Sequence, residues 1–129
     1  MDNDCILCRK YQSNIFENTY FFAIPDDFPL REGHTLIIPK RHREDLVQLS
    51  PEEFGDLSHI LTEMAQYIKT ILRADGYNIG VNCGKAAGQT LSHLHIHLIP
   101  RYAGDVPDPR GGIRHFLPNP LTVYPQEQR

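Results

Sequence analysis

Three histidines occupy alternate positions in Ser92-His93-Leu94-His95-Ile96-His97-Leu98-Ile99-Pro100-Arg101. Apolar side chains stand between them, which is the period of a half-buried β-strand. Read as a strand, the run puts His93, His95 and His97 on one face and Leu94, Ile96 and Leu98 on the other. At a rise of about 3.3 Å per residue, neighbouring imidazoles lie roughly 7 Å apart, so each can take a separate task around one small ligand. An imidazole with an unperturbed pKa of about 6.5 is mostly neutral at pH 7 and attacks phosphorus without a strong base when one nitrogen is free. Flanking imidazoles discourage protonation, and a backbone carbonyl that accepts from one ring nitrogen turns the other toward the ligand. His95, central in the row, is therefore the expected nucleophile. His97 is the expected neighbour for phosphate oxygens or the leaving group. Three alternating histidines also suit one metal ion, a reading that leaves no nucleophile.

Two other groups of residues bear on this chemistry. Gly88-Gln89-Thr90, just ahead of the histidine row, can bring backbone N–H groups and a hydroxyl close to an anion. Such donors, arranged beforehand, suit a transition state with charge spread over phosphoryl oxygens. Cys5 and Cys8 form a Cys-x-x-Cys pair, which in a reducing compartment points to metal or redox chemistry. Two cysteines cannot complete a tetrahedral shell, so two further ligands are needed and histidine is the available type. The alternative is a pair of buried reduced thiols.

The elements that must hold these groups follow from pattern. Phe16–Ile24 reads as two short strands around Asn18 in a hairpin, and residues 25–33 as a loop. His34–Pro39 is a strand ended by its proline. Ser50, Pro51 and Glu53 supply an N-cap, a proline at the first helical position and a capping box. Phe54, Leu57, Leu61, Met64, Ile68 and Ile71 then predict one apolar helical stripe, with Gly76 as the left-handed C-terminal residue. His59 falls off that stripe and is expected in solvent. Residues 77–82 read as a strand, 83–90 as a small-residue turn, and the segment beyond Arg101 as a proline- and glycine-rich surface loop.

The 129 residues fit one domain, with a core over about 5–102 and a tail over 103–129. Hydrophobic content of 40% and charged content of 22% are ordinary for a soluble globular protein. A formal net charge of -3 argues against long nucleic acid as a partner, while local cationic or N–H groups can still hold a small anion. No apolar run is long enough for a membrane span and the acidic start carries no signal segment, so a cytoplasmic location is expected.

Gly33-His34-Thr35-Leu36-Ile37-Ile38-Pro39-Lys40-Arg41-His42, Gly88-Gln89-Thr90 and His93-x-His95-x-His97 together resemble the histidine triad (HIT) superfamily of nucleotide hydrolases and transferases. The likeness spans roughly residues 5–102. It implies an α+β fold with an antiparallel sheet of about five strands and one long helix, usually in a homodimer that joins its sheets. It further implies that His95 attacks the α-phosphate to give a nucleotidyl-histidine that water resolves. His97 and His34 would contact phosphates, and Asn82 would place an amide near the scissile group. Gly88, Gln89 and Thr90 would match the phosphate loop, and Asp26, with Asp27 as its competitor, the ribose-binding position. Relatives with the N-terminal cysteine pair resemble a structural Cys2His2 zinc site, here Cys5, Cys8, His42 and His93.

In the family it resembles, the transferases typically carry glutamine at the third triad position, so the likeness with His97 there implies hydrolysis over transfer. Ile99-Pro100-Arg101-Tyr102-Ala103-Gly104-Asp105 is similar to the dinucleoside polyphosphate hydrolase and fragile-histidine-triad branch, whereas Asn82 is closer to the phosphoramidases. A phosphorylase is a further alternative. Arg101, Arg110 and Arg114 could neutralise a polyphosphate or be solvated loop charges. From another class, a nucleotide-binding adaptor or sensor would keep the pocket without turnover. No organic cofactor is expected.

Overall fold

The computed structural model describes residues 5–117. Its helices are a single turn, α1 (Ile6–Arg9), and the long α2 (Pro51–Thr70). Its strands are β1 (Phe16–Glu17), β2 (Phe21–Pro25), β3 (Thr35–Pro39), β4 (Gly76–Val81) and β5 (Ile96–Arg101). They form one antiparallel sheet in the order β1-β2-β3-β5-β4, so the expected α+β architecture of five strands and one main helix holds. The hairpin between β1 and β2 turns at Asn18, whose side-chain carbonyl accepts from Phe21 N–H at 3.0 Å.

Both faces of the central sheet are covered. Phe21, Ala23, Ile37, Ile96 and Leu98 pack with Leu57, Ile60, Met64 and Ile68 of α2. Phe22, Ile24, Leu36 and Ile38 pack on the opposite face with Leu7 of α1. That double coverage explains why residues 21–24 of β2 and 36–38 of β3 are continuous apolar runs that do not alternate. α2 begins with the reciprocal capping box: Ser50 Oγ accepts from Glu53 N–H at 3.1 Å, and Glu53 Oε1 accepts from Ser50 N–H at 2.9 Å. Among the described residues, no helix is long and apolar enough to cross a membrane.

Three expectations need correction. The buried sector of α2 runs through Leu57, Ile60, Met64, Ala65 and Ile68, while Phe54 and Ile71 are exposed. The apolar period admits either side of Leu57, and the sheet lies on the Ile60 side; Ile71 falls past the last turn. Gly76 does not close the helix but opens β4, and Arg73 takes the left-handed conformation (φ 60°). Asp75 N–H already bonds Arg101 O at 2.9 Å, so the chain must be extended at that point.

The third concerns the histidine row, because β5 starts at Ile96 and not at His93. Pairing with β3 stops at Ile37↔Ile96, where the neighbour runs into Pro39. The Pro39 carbonyl is taken by the ring of His93 at 2.8 Å instead of by a ladder N–H. From Leu94 onward the alternation holds, with Leu94, Ile96 and Leu98 buried on the α2 side and His95, His97, Ile99 and Arg101 half-buried between them. After Arg101 the described chain runs as a loop to residue 117, with a 3-10 turn at Gly112–Phe116; the rest of the expected tail, residues 118–129, lies outside the described residues.

Candidate functional site

His93 leaves the ladder to face the N-terminal cysteines. Its Nδ1 stands 3.2 Å from Cys5 Sγ and 3.3 Å from Cys8 Sγ, and His42 Nδ1 lies 3.8 Å from Cys8 Sγ. One ligand atom from each of these four residues lies within 4.8 Å of all the others. Metal–sulfur bonds of about 2.3 Å and metal–nitrogen bonds of about 2.0 Å give sulfur–nitrogen edges of roughly 3.5 Å in a tetrahedron, which these separations match. Because His93 Nε2–H donates to Pro39 O, the lone pair on Nδ1 points at the two sulfurs. Burial pushes the His93 pKa down to about 4, so the ring is in its ligating, neutral form. The four residues are therefore placed to hold a metal ion. The donor set is closed, leaving no protein-built opening for a reacting water.

The backbone of the same residue fixes the nucleophile candidate. His93 O accepts from His95 Nδ1–H at 2.9 Å, so the lone pair of His95 lies on Nε2, away from that carbonyl. The half-buried His97 ring follows at 5.3 Å between centroids.

A third set of bonds fixes the protons of the remaining pair. Leu30 N–H donates to His34 Nδ1 at 3.1 Å, so the His34 proton must sit on Nε2. That Nε2–H donates to His97 Nδ1 at 3.0 Å, with Asp26 Oδ2 a second acceptor at 3.3 Å. His97 in turn carries its own proton on Nε2, available to a phosphate oxygen or a departing group. Burial lowers the pKa of both rings, and the Asp26 carboxylate opposes that shift only in part. Asp26, His34 and His97 also lie close enough to ligate a cation. Metal on His34 Nε2 would, however, force a proton onto Nδ1, against the Leu30 N–H. The trio is a hydrogen-bonded chain. The single-ion reading of the three triad histidines fails as well, because His93 is turned to the cysteines.

His34, the residue just before β3, reaches this chain because Gly33 turns the backbone there at φ +88°. A Cβ on Gly33 would overlap Leu72 Cδ1 and lie 3.1 Å from Pro100 Cγ, so no larger residue fits unshifted.

The remaining candidates are distributed around this core. Asn82, exposed just past β4, stands beside Gly88, where an added Cβ would lie 4.0 Å from Asn82 Nδ2. Gly88 is left-handed (φ 91°) and ends the turn Lys85–Ala87. Gln89 ties the loop together: its Oε1 accepts from Gly84 N–H at 2.8 Å and its Nε2 donates to Glu44 O at 2.9 Å. Thr90 is exposed. Asp27 pairs with Lys10 at 2.7 Å, whereas Asp26 faces the histidines. Arg110 is paired with Asp108 at 2.9 Å and Arg101 with Asp105 at 2.8 Å. Sequence reasoning missed the Leu30 N–H and Asp105; an acid four residues after Arg101 was the available signal for the second.

The model of the HIT domain matches residues 9–104. An uncharacterised HIT-like protein of Mycoplasma pneumoniae is 37% identical over 106 residues, covering 78% of this chain and 74% of its own. An adenylylsulfatase of Arabidopsis thaliana is 34% identical over 81% of this chain and 56% of its own. An AP-4-A phosphorylase of Mycobacterium tuberculosis is 34% identical over 65% of this chain and 44% of its own. Among solved structures, a Zn-bound histidine triad family protein from Mycobacterium smegmatis superposes with a TM-score of 0.71 at 37% identity, over 81% of this chain and 84% of that one.

Proposed function

The chain belongs to the HIT family, and from that premise we propose that it is a nucleotide hydrolase acting at an α-phosphate through His95. The observation that carries the reading is the His95 ring itself, held through Nδ1–H by His93 O at 2.9 Å with Nε2 left as a lone pair. In the first step that lone pair bonds to phosphorus and the bond to the leaving phosphate oxygen breaks. The departing phosphate oxygen keeps the bonding electrons and leaves as an anion, held by a hydrogen bond from His97 Nε2–H. In the second step water attacks the same phosphorus, its proton passes to solvent, and the bond to Nε2 breaks, releasing His95 with the nucleoside monophosphate. His34 and the Leu30 N–H keep His97 in the donor tautomer throughout.

Asn82, the Gly88-Gln89-Thr90 turn and Asp26 are assigned to substrate binding, the last at the ribose. Dinucleoside polyphosphates are the proposed substrates, supported by Pro100-Arg101 and by the relative named AP-4-A phosphorylase. The metal is proposed to be zinc, supported by the Cys2His2 donor set and the Zn-bound relative. It would supply structure to the segment that carries His95. A homodimer joined along the edge strand β4, where Tyr77 and Ile79 are exposed, and a cytoplasmic location complete the proposal.

The experiment is product analysis with diadenosine tetraphosphate, diadenosine triphosphate, adenosine phosphoramidate and adenylyl sulfate, each with and without inorganic phosphate. AMP released without phosphate supports a hydrolase, and phosphate-dependent ADP a phosphorylase. No product from any of the four would leave the adaptor or sensor reading.

A further inference from the structure

The proton arrangement of His34 and His97 depends on one backbone group, Leu30 N–H, in an irregular loop between β2 and β3. The loop is fastened by its next residue. Arg31 Nη2 donates to Asp105 O at 2.9 Å and Arg31 Nε to Asp105 Oδ2 at 3.3 Å. Arg31 O accepts from His34 N–H at 3.1 Å, so the same residue meets the histidine from its other side.

Asp105 is itself fixed from β5. Arg101 grips its carboxylate with Nε and Nη2 at 2.8 and 2.9 Å, and Tyr102 N–H donates to it at 3.1 Å. Arg101 Nη1 also bonds Asn78 Oδ1 on β4 at 2.7 Å. Only 9% of the Asp105 side chain is exposed, and its two oxygens receive two guanidinium groups and an amide. Forked guanidinium–carboxylate bonds are strong and directional, which suits a brace. With both cations engaged here, Arg31 and Arg101 are poor candidates for a phosphate clamp.

We propose that Asp105 is a positioning residue: it anchors Arg31 to the end of β5, keeps Leu30 N–H on His34 Nδ1, and so sets the donor tautomers of His34 and His97. The role rests on the catalytic reading given above for His97, but the tautomers themselves are observable without turnover. The segment after β5 thereby acts on the site from a distance, and Asp105 touches no reacting atom.

The test uses nitrogen-15 NMR of the histidine rings in the intact protein, together with turnover of diadenosine tetraphosphate. In the native chain His34 and His97 should each give the pure Nε2–H pattern. In Asp105→Asn both should become mixtures, kcat should fall roughly tenfold to a hundredfold as expected for a mispositioned donor, and Asp105→Glu should recover part of the loss. Arg31→Ala, which leaves the Arg101–Asp105 pair in place, should reproduce the mixture and decides the matter if Asp105→Asn does not fold. Folded variants that keep both rings purely Nε2–H would overturn the proposal. A native protein that turns over no nucleotide would sink the catalytic reading, while the NMR comparison would still decide on the brace.

Discussion

His95 Nδ1–H is held at 2.9 Å by the backbone carbonyl of His93, the residue whose ring faces Cys5 and Cys8 at 3.2 and 3.3 Å. One residue thus belongs to two places, its side chain to the four residues that could hold a metal and its main chain to the proposed nucleophile. A metal that fixes the ring also limits how far the carbonyl can move.

Chelation, or Cys8→Ser, should therefore reduce both stability and turnover. A ligand present at a hundred times its Kd contributes about 2.7 kcal/mol, which for a domain of this size corresponds to a fall in Tm of roughly 10 °C. Calorimetry before and after metal removal, with elemental analysis showing one zinc per chain, checks it. A metal-free protein of unchanged Tm and full activity would refute the structural role.

His95→Gly should abolish turnover and leave nucleotide binding within a few-fold, because the ring is needed for bond formation and its neighbours supply the remaining contacts. His97→Ala should act differently, slowing release of poor leaving groups most, since on the proposed reading its Nε2–H stabilises the departing oxygen. Comparing substrates whose leaving groups differ in basicity separates the two residues. Equal loss for every substrate in both variants would contradict the division of labour.

Burial holds His34 and His97 below the usual histidine range, so the folded chain favours their neutral forms. Their contribution to stability is complete above the unfolded value of about 6.5 and is lost as pH falls through their folded values. Protonation of His97 also breaks the His34–His97 bond, because both nitrogens that face each other would then carry a proton, and protonation of His34 breaks the bond from Leu30 N–H. Turnover should fall along the same acid limb. Asp26→Asn removes the carboxylate that favours the charged rings, and the NMR titrations of His34 and His97 should move to lower pH. A shift to higher pH would contradict the assigned contact.

Gly33→Ala should destabilise the chain by about 2–4 kcal/mol, the sum of a left-handed conformation imposed on a residue with a Cβ and a steric overlap in a packed site. The damage is expected to extend to activity, since Gly33 precedes His34 and the new methyl group would press on Leu72 and Pro100. Denaturant unfolding measures the first effect. A change under 0.5 kcal/mol, about the usual scatter for surface substitutions, would show that the turn relaxes freely.

Much of this arrangement was legible because it is local. Ser50, Pro51 and Glu53 announce the start of α2 by spacing alone, and the alternation from Leu94 to Arg101 assigns the two faces of β5. The departure of His93 was not legible, since its position fits the same alternation. What removes it from the strand is the neighbour's Pro39, whose carbonyl the ring captures across 54 residues of sequence. The burial of Ile60 in place of Phe54 reflects which side of α2 the sheet meets, a fact no single helix contains. Asp105 escaped for a related reason, because its four-residue spacing from Arg101 is visible but the Arg31 that completes the brace lies 74 residues earlier.

β5 lies between β3 and β4, so both neighbours dictate its register. Substitutions along it are judged one at a time, but gaining or losing a single amino acid after Ile96 would exchange inward and outward positions from there on. Imidazole would then enter the oily interior, and leucine would line the ligand cleft. Diverging descendants of this gene can accordingly vary the letters of this segment far more freely than its length.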